Sequence, residues 1–137
     1  MRNQEGGCLC GAVRYVLNGE PQATVICHCT HCQKQSGSAF SINLLMQDTD
    51  VELRGETGFF IDHGDSGLPS YRHFCPKCGS PIFTKAENMP SVTIVKAGTL
   101  DDLEAVHPQV EIYTDHAVAW FTSVEGVTRF AQTPPNA

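Results

Sequence analysis

The chain has 137 residues and a formal net charge of −6, with nine Lys and Arg scattered along it, so it offers no basic face for nucleic acid or an anionic membrane surface. No segment is apolar over the length that a bilayer span needs, and the polar opening Met1-Arg2-Asn3-Gln4-Glu5-Gly6-Gly7 does not read as a secretory signal. One domain over residues 1–137 is expected, in the cytoplasm, where thiols stay reduced.

Apolar and polar residues alternate at strand spacing, and helical periodicity is faint. Residues 12–17 place Val13, Tyr15 and Leu17 on one face, with Arg14 between them. Residues 24–27 form a short strand, and residues 30–36 form a helical turn or two closed by Gly37 as C-cap. The longer run 38–46 alternates Phe40, Ile42 and Leu44. Segments 51–54 and 57–61 flank Gly55-Glu56, which reads as a hairpin turn. Strands follow at 70–74, 81–84, 91–96, 110–113 and 118–121, with a helical turn at 100–105 near Asp101 and Asp102. Residues 133–137 read as a frayed tail. The expected fold is all-β and mainly antiparallel.

Seven cysteines fall into three clusters: Cys8 and Cys10; Cys27, Cys29 and Cys32; Cys75 and Cys78. The odd number excludes a purely disulfide framework, and the tight spacing suits convergence on metal ions. Thiolate-rich tetrahedral sites favour zinc, with iron–sulfur as the rival where four thiolates meet. Cys75-Pro76-Lys77-Cys78-Gly79 is a zinc-knuckle half-site: Pro76 presets a turn dihedral, and Gly79 can take the positive φ that aims backbone N–H groups at the sulfurs. Cys8-Leu9-Cys10-Gly11 supplies a partner pair, because residues two apart on an extended chain share a side. One ion joining these pairs would tie together segments more than sixty residues apart. Cys27, Cys29 and Cys32 form a three-ligand set with an open position, the pattern of a catalytic zinc. Two alternatives stay open on the residues alone: His28 or His31 closes that shell, or Cys8 and Cys10 pair instead with Cys27 and Cys29.

Three stretches carry a family resemblance: Gly7-Cys8-Leu9-Cys10-Gly11-Ala12-Val13-Arg14-Tyr15, then Cys27-His28-Cys29-Thr30-His31-Cys32-Gln33-Lys34-Gln35-Ser36-Gly37, then Phe74-Cys75-Pro76-Lys77-Cys78-Gly79-Ser80-Pro81-Ile82-Phe83. Their order and spacing resemble the glutathione-dependent formaldehyde-activating (GFA) family, which also contains centromere protein V. The resemblance runs over about residues 6–130, including the segment 112–120. It implies an Mss4-like, zinc-stabilised β-fold with two zinc sites. Cys8, Cys10, Cys75 and Cys78 would be the structural zinc ligands. Cys27, Cys29 and Cys32 would be the ligands of a catalytic, more labile second zinc. The implied activity is that of a carbon–sulfur lyase joining an aldehyde such as formaldehyde to glutathione as co-substrate, giving S-hydroxymethylglutathione. The implied partner is thus a small-molecule thiol or aldehyde. Because Mss4-like folds also serve as scaffolds, a non-catalytic zinc-stabilised binding or chaperone-like module is the alternative.

Other residues get plainer readings. His28 and His31 sit within the three-cysteine cluster, as ligands, proton shuttles or supports of the ligands, or as rim histidines bonded to solvent. Lys34 either offsets thiolate charge or is solvated. Arg14 is expected on a solvent face, and His73 on a strand. His63, His107 and His116 lie in turn-like segments. Phe40, Phe59, Phe60 and Trp120 either line a pocket near the open position of the second cluster or, as the plainer assignment for most of them, pack in the core. Asp62-His63-Gly64-Asp65-Ser66-Gly67 reads as a loop, since its ligand pattern is incomplete for calcium.

Overall fold

The computed structural model describes residues 3–135; Asn136 and Ala137 of the tail read as frayed lie outside the described residues. The strands are β1 (Gln4–Gly7), β2 (Arg14–Leu17), β3 (Ala23–Cys27), β4 (Ser41–Gln47), β5 (Val51–Arg54), β6 (Gly58–His63), β7 (Pro69–Phe74), β8 (Pro81–Ala86), β9 (Val92–Lys96), β10 (Val110–Ile112) and β11 (Thr128–Arg129), with one helix, α1 (Thr30–Ser36). They form a three-stranded sheet ordered β1-β2-β5 and an eight-stranded sheet ordered β11-β10-β3-β4-β9-β8-β7-β6. Pairing is antiparallel except for β10, which runs parallel to β3 and β11. The fold is all-β and Mss4-like, as expected.

The alternation in β2 sets the core. Val13, Tyr15 and Leu17 turn inward and are almost wholly buried, meeting Leu44, Met46, Ile82, Val95 and Leu100 from the larger sheet and its flank. In β4 the inward set is Ile42, Leu44 and Met46, which leaves Ser41, Asn43 and Leu45 on the opposite face. Cys8 and Cys75 are buried in this same core, so the cysteine loops are built into the packing.

Several sequence expectations fail, each for a physical reason. Gly55-Glu56 does not join a hairpin. β5 pairs with β2, matching Leu53 to Tyr15, while β6 pairs with β7. Gly55 does take the positive φ (96°) that a Gly-first hairpin turn uses, but the strands on either side of it belong to different sheets and pair elsewhere. Gly55 serves instead to cross between sheets: a Cβ there would lie 2.2 Å from the Ala12 carbonyl oxygen. Gly55→Ala should therefore destabilise the protein by on the order of 1–3 kcal/mol in urea titration; a loss below about 0.5 kcal/mol would show that the crossing relaxes freely.

The helix expected over 100–105 shrinks to a 3-10 turn at Leu103–Ala105, capped by Asp102 accepting from the Glu104 N–H (3.0 Å). Leu100 is already extended and bridged to Gly6, and Pro108 disfavours helix at His107. Residues 118–121 form a turn rather than a strand. β1 and β11 went unpredicted because neither carries an apolar alternation; β1 forms on its register with β2. Phe59, Phe60 and Trp120 are not core residues, at 52 %, 63 % and 77 % exposed. The two phenylalanines lie on β6, an edge strand bonded only to β7. Arg14 does face solvent, where it forks onto Asp101 (3.0 and 2.5 Å). His73 lies on β7 and stacks on Phe83, with ring centroids 4.3 Å apart.

Candidate metal centres

Two loops meet over the core to form the first sulfur cluster. The β7–β8 knuckle is closed by Gly79 N–H to the Cys75 carbonyl (2.8 Å) and Cys75 N–H to the Ser80 carbonyl (2.9 Å), with Gly79 at φ 81° as its turn requires. The β1–β2 loop is closed by Cys8 N–H to the Val13 carbonyl (3.0 Å). Leu9 N–H donates to the Ser80 hydroxyl (3.1 Å), which ties the loops together. Cys8 Sγ lies 3.6 Å from Cys10 Sγ, Cys10 Sγ lies 3.8 Å from Cys75 Sγ, and all four sulfurs including Cys78 lie within 4.8 Å of one another. A zinc tetrahedron with bonds of about 2.3 Å has sulfur–sulfur edges of about 3.8 Å, so the donor set and spacing fit that ion. This arrangement excludes the alternative in which Cys8 and Cys10 pair with Cys27 and Cys29.

Backbone and hydroxyl donors favour thiolate here. Val13 N–H points at Cys8 Sγ (3.2 Å), Lys77 N–H at Cys75 Sγ (3.4 Å), and the Ser80 hydroxyl lies 3.3 Å from Cys78 Sγ. The Ser80 hydroxyl and backbone bring Cys78 down to about 5. Burial opposes ionisation of Cys8, but the Val13 N–H and the neighbouring thiols outweigh it and hold Cys8 below the ordinary thiol value.

The second cluster sits where β3 passes into α1. Cys27 ends β3, Cys29 is the N-cap of α1, and Cys32 lies in its first turn. Cys29 Sγ accepts from the Cys32 N–H (3.2 Å), as a serine oxygen would in that position. The three sulfurs lie within 4.8 Å of one another, and no imidazole joins the set among the described residues. Thiol donation from Cys27 and Cys29 pulls Cys32 far below the ordinary range against burial, with help from the charge of Lys96 and from Ser41. Cys27, which donates to Cys29 and Cys32 and is also buried, is pushed far up. Lys96 lines the same cavity as Cys27 and Cys32, and its charge favours ionisation there. Three converging sulfurs and a buried cation fit a divalent metal with one position left over.

Both histidines are engaged elsewhere. His28 is a fully buried residue rather than a rim histidine. Its Nε2–H donates to Glu111 Oε1 (2.5 Å), since a carboxylate only accepts. Glu111 is likewise buried and also accepts from the Ser123 hydroxyl, with Arg129 Nε 3.5 Å away. His28 N–H bonds the Ile112 carbonyl (3.1 Å), so the ligand loop is pinned to β10 by both backbone and side chain. His31 stays on the rim and bonds Asp62 (2.8 Å), which also accepts from Arg72 Nε (2.9 Å).

The sulfur triangle lies between cavities. Cys29 faces a space of about 120 Å³ with Tyr113 and His116. A larger open cleft of about 460 Å³ lies alongside α1, lined by His31, Lys34, Phe60 and Arg72 among others. Cys27 and Cys32 face a third cavity on the other side. Lys34 thus lines a cleft, and Lys96 is the cation beside the sulfurs. Lys96 was legible in principle, because a lysine closing the apolar strand Val92–Lys96 is unusual. Glu111 carried no such signal, since a carboxylate between Val110 and Ile112 reads as the solvent face of a strand. Tyr113 is the one non-glycine residue with positive φ (54°) among the described residues, and its hydroxyl donates to Asp65 (2.9 Å). The segment 62–67 read as a loop begins instead on β6, which holds Asp62 and His63 in register with β7; Asp62 serves His31 and Arg72, and Asp65, beyond the strand, serves Tyr113. Among the described residues no helix is long and apolar enough to cross a membrane.

Comparison with known proteins places this geometry. The family model described as "Glutathione-dependent formaldehyde-activating enzyme" matches residues 3–116. A Halomonas elongata protein named "Putative glutathione-dependent formaldehyde-activating enzyme" is 30 % identical over 122 residues, covering 85 % of this chain and 78 % of the relative. A crystal structure of a Rhodobacter sphaeroides protein shares the fold, with a TM-score of 0.55 at 21 % identity, over 76 % of this chain and 91 % of that one.

Proposed function

The chain belongs to the glutathione-dependent formaldehyde-activating enzyme family, and from that premise we propose that it is a zinc-dependent carbon–sulfur lyase joining glutathione or a related thiol to an aldehyde such as formaldehyde. The observation that carries this reading is the second cluster: three mutually close sulfurs with both neighbouring imidazoles committed to carboxylates. Cys8, Cys10, Cys75 and Cys78 would hold a structural zinc, and Cys27, Cys29 and Cys32 the second. Zinc at three thiolates, when bound, supplies a position where a substrate thiol is held as thiolate.

The chain's own residues do the rest. Lys96, buried and hydrogen-bonded to Asn43 Oδ1 (2.9 Å), offsets the charge collected on the sulfurs. Cys29 faces the open side, where a peptide thiol can arrive. The adjoining cleft is lined by Lys34 together with Asp62, which His31 and Arg72 already engage, so Lys34 is the cation placed to meet an anionic thiol such as glutathione. In the reaction the sulfur electron pair forms a bond to the carbonyl carbon, and the thiol proton ends on the carbonyl oxygen. The reverse step breaks the carbon–sulfur bond. A scaffold would need neither a vacant ligand position nor a buried lysine beside it. Partners in this reading are small molecules, with no nucleic acid and no membrane. A chain that depends on seven reduced thiols fits the cytoplasm.

Exchange NMR of S-hydroxymethylglutathione formation tests the proposal. Cys29→Ser should lower the catalysed rate by at least about 100-fold, more than the ~10–100-fold typical of losing a group that merely supports a ligand. Equal rates for wild type and variant at the uncatalysed level would sink the activity and leave the fold untouched.

A further inference from the structure

Arg72 lines all three cavities around the sulfur triangle: the cleft beside α1, the chamber at Cys29, and the third cavity, which Val25, Leu45 and Ile94 wall. Register puts it there. Phe60 pairs with Arg72 across β6 and β7, which sets Asp62 diagonal to Arg72 on the same sheet face. Two bonds then fold this end of the sheet over the cysteines. His31 of α1 donates to Asp62 (2.8 Å), and the hydroxyl of Tyr113, just past β10, donates to Asp65 (2.9 Å). Arg72 thus shares a chamber of about 120 Å³ with Cys29, on the side where the thiol arrives.

The guanidinium is held at one end and free at the other. Its Nε donates to Asp62 Oδ2 (2.9 Å), while Nη1 and Nη2 have no hydrogen-bond partner among the described residues. Neither Nη is sealed off by its surroundings, so both stay open to a small molecule. The side chain is 12 % exposed, whereas the other nitrogen donors on the chamber wall, His31 and His116, are 45 % and 48 % exposed. The Tyr113 hydroxyl is already committed to Asp65. A donor shielded from water acts more strongly on developing charge, and a guanidinium presents its N–H groups in a fixed fork. Asp62 balances the charge of Arg72, so the chamber gains directed donors rather than a trap for anions.

The reaction needs such a donor. Three thiolates leave a bound zinc electron-rich, better suited to delivering a sulfur nucleophile than to polarising a carbonyl. We propose that Arg72 is a catalytic residue of this reaction: its Nη groups donate to the aldehyde oxygen in the Cys29 chamber and stabilise the charge that collects there as the carbon–sulfur bond forms. The inference rests on the lyase reading above and names the residue that activates its electrophile. The sulfur electron pair bonds to the carbonyl carbon, the carbon–oxygen π pair becomes a lone pair on oxygen, and that oxygen takes the proton the thiol released. Arg72 supplies hydrogen bonds and keeps its own protons, because a guanidinium does not titrate in proteins. No oxidant or reductant enters.

The test uses the zinc-loaded full chain in two arms. In the first, calorimetry compares S-carbamoylglutathione, whose carbonyl carbon is bonded to sulfur, with S-ethylglutathione, which lacks that oxygen. The carbamoyl compound should bind the wild type about tenfold tighter, as a hydrogen bond from a charged donor allows, and Arg72→Ala should bring the two within about twofold. In the second arm, exchange NMR follows S-hydroxymethylglutathione formation. Arg72→Ala should lower kcat about 100-fold, the cost of a lost oxyanion donor, and move the KM for glutathione less than about threefold. Millimolar guanidinium should restore the rate at least about tenfold, and ammonium, which has no fork, should not. Arg72→Lys keeps a cation beside Asp62 and with it the fold, yet should stay at least about tenfold slow. Equal binding of the two compounds to the wild type overturns the inference. A kcat loss in Arg72→Ala below about threefold, or one that guanidinium restores no better than ammonium, also overturns it and leaves the lyase reading standing. A wild type that catalyses nothing, yet prefers the carbamoyl compound and loses that preference in Arg72→Ala, sinks the lyase reading and keeps Arg72 as a carbonyl-binding residue.

Discussion

Cys75→Ser is expected to yield a chain that carries at most one zinc and unfolds without a cooperative transition. Cys75 is fully buried in the core, and its sulfur lies 3.8 Å from Cys10 Sγ across 65 residues of chain. Structural zinc sites contribute on the order of 10 kcal/mol, against a total stability of about 5–15 kcal/mol for a domain. Loss of this ion therefore removes most of the margin. Chelator treatment of the wild type should act in the same direction. Cys29→Ser, which touches only the second cluster, should retain a cooperative melt. Metal analysis and thermal circular dichroism decide the matter. A Cys75→Ser variant that melts within a few degrees of the wild type would show that the first cluster does not hold the fold together.

The second large effect belongs to the His28–Glu111 pair. Glu111→Ala removes the acceptor for His28 Nε2, for the Ser123 hydroxyl and for nearby Arg129, all at a carboxylate 1 % exposed. Breaking one half of a buried pair costs about 3–5 kcal/mol. Because His28 stands between two of the three sulfurs, its release should also loosen zinc at the second cluster by about 10–100-fold. Urea unfolding and competition with a chromophoric chelator measure the two effects. A His28→Leu/Glu111→Leu double variant should lose less than the sum of its single changes, since the charge and its partner leave together. A Glu111→Ala cost under about 1 kcal/mol would refute the role given to the pair.

The same carboxylate sets an acid limit. Burial would raise it, but the bonds from Ser123 and His28 and the charge of Arg129 outweigh burial and hold it below its ordinary 4.5. A carboxyl depressed in the folded state contributes stability that is full above its unfolded value and is lost as pH falls through the folded one. The loss should thus begin below about pH 4.5 in the wild type, and be smaller in Glu111→Ala, where Asp48, Asp62 and Asp101, also held below their ordinary values, still contribute.

Strand alternation, cysteine spacing and cap residues are local signals, and they were legible. Val13, Tyr15 and Leu17 turn inward because a strand's period of two is set by the backbone itself. Residues 30–36 form the helix and Gly37 caps it at φ 71°, as a left-handed C-cap requires. The knuckle folds as its Pro and Gly dictate. What failed was partner choice. Gly55-Glu56 looks like a hairpin because its flanking strands are sequential neighbours, yet β5 finds β2 and β6 finds β7. Phe59 and Phe60 look like core residues until β6 is seen at a sheet edge.

The sequence by itself determined that the seven sulfurs would gather in clusters able to hold metal, because their spacing allows short loops to aim them. It also determined an all-β chain and the family that such spacing marks. Only the tertiary structure decided that Cys8 and Cys10 meet Cys75 and Cys78, which depends on two sheets closing over one core. It alone turned His28 and His31 away from the sulfurs, because the carboxylates that hold them, Glu111 and Asp62, lie 83 and 31 residues further along the chain. It alone set Lys96 and an aliphatic wall beside Cys27 and Cys32, since cross-strand register, which no local pattern contains, fixes which side chains share a face.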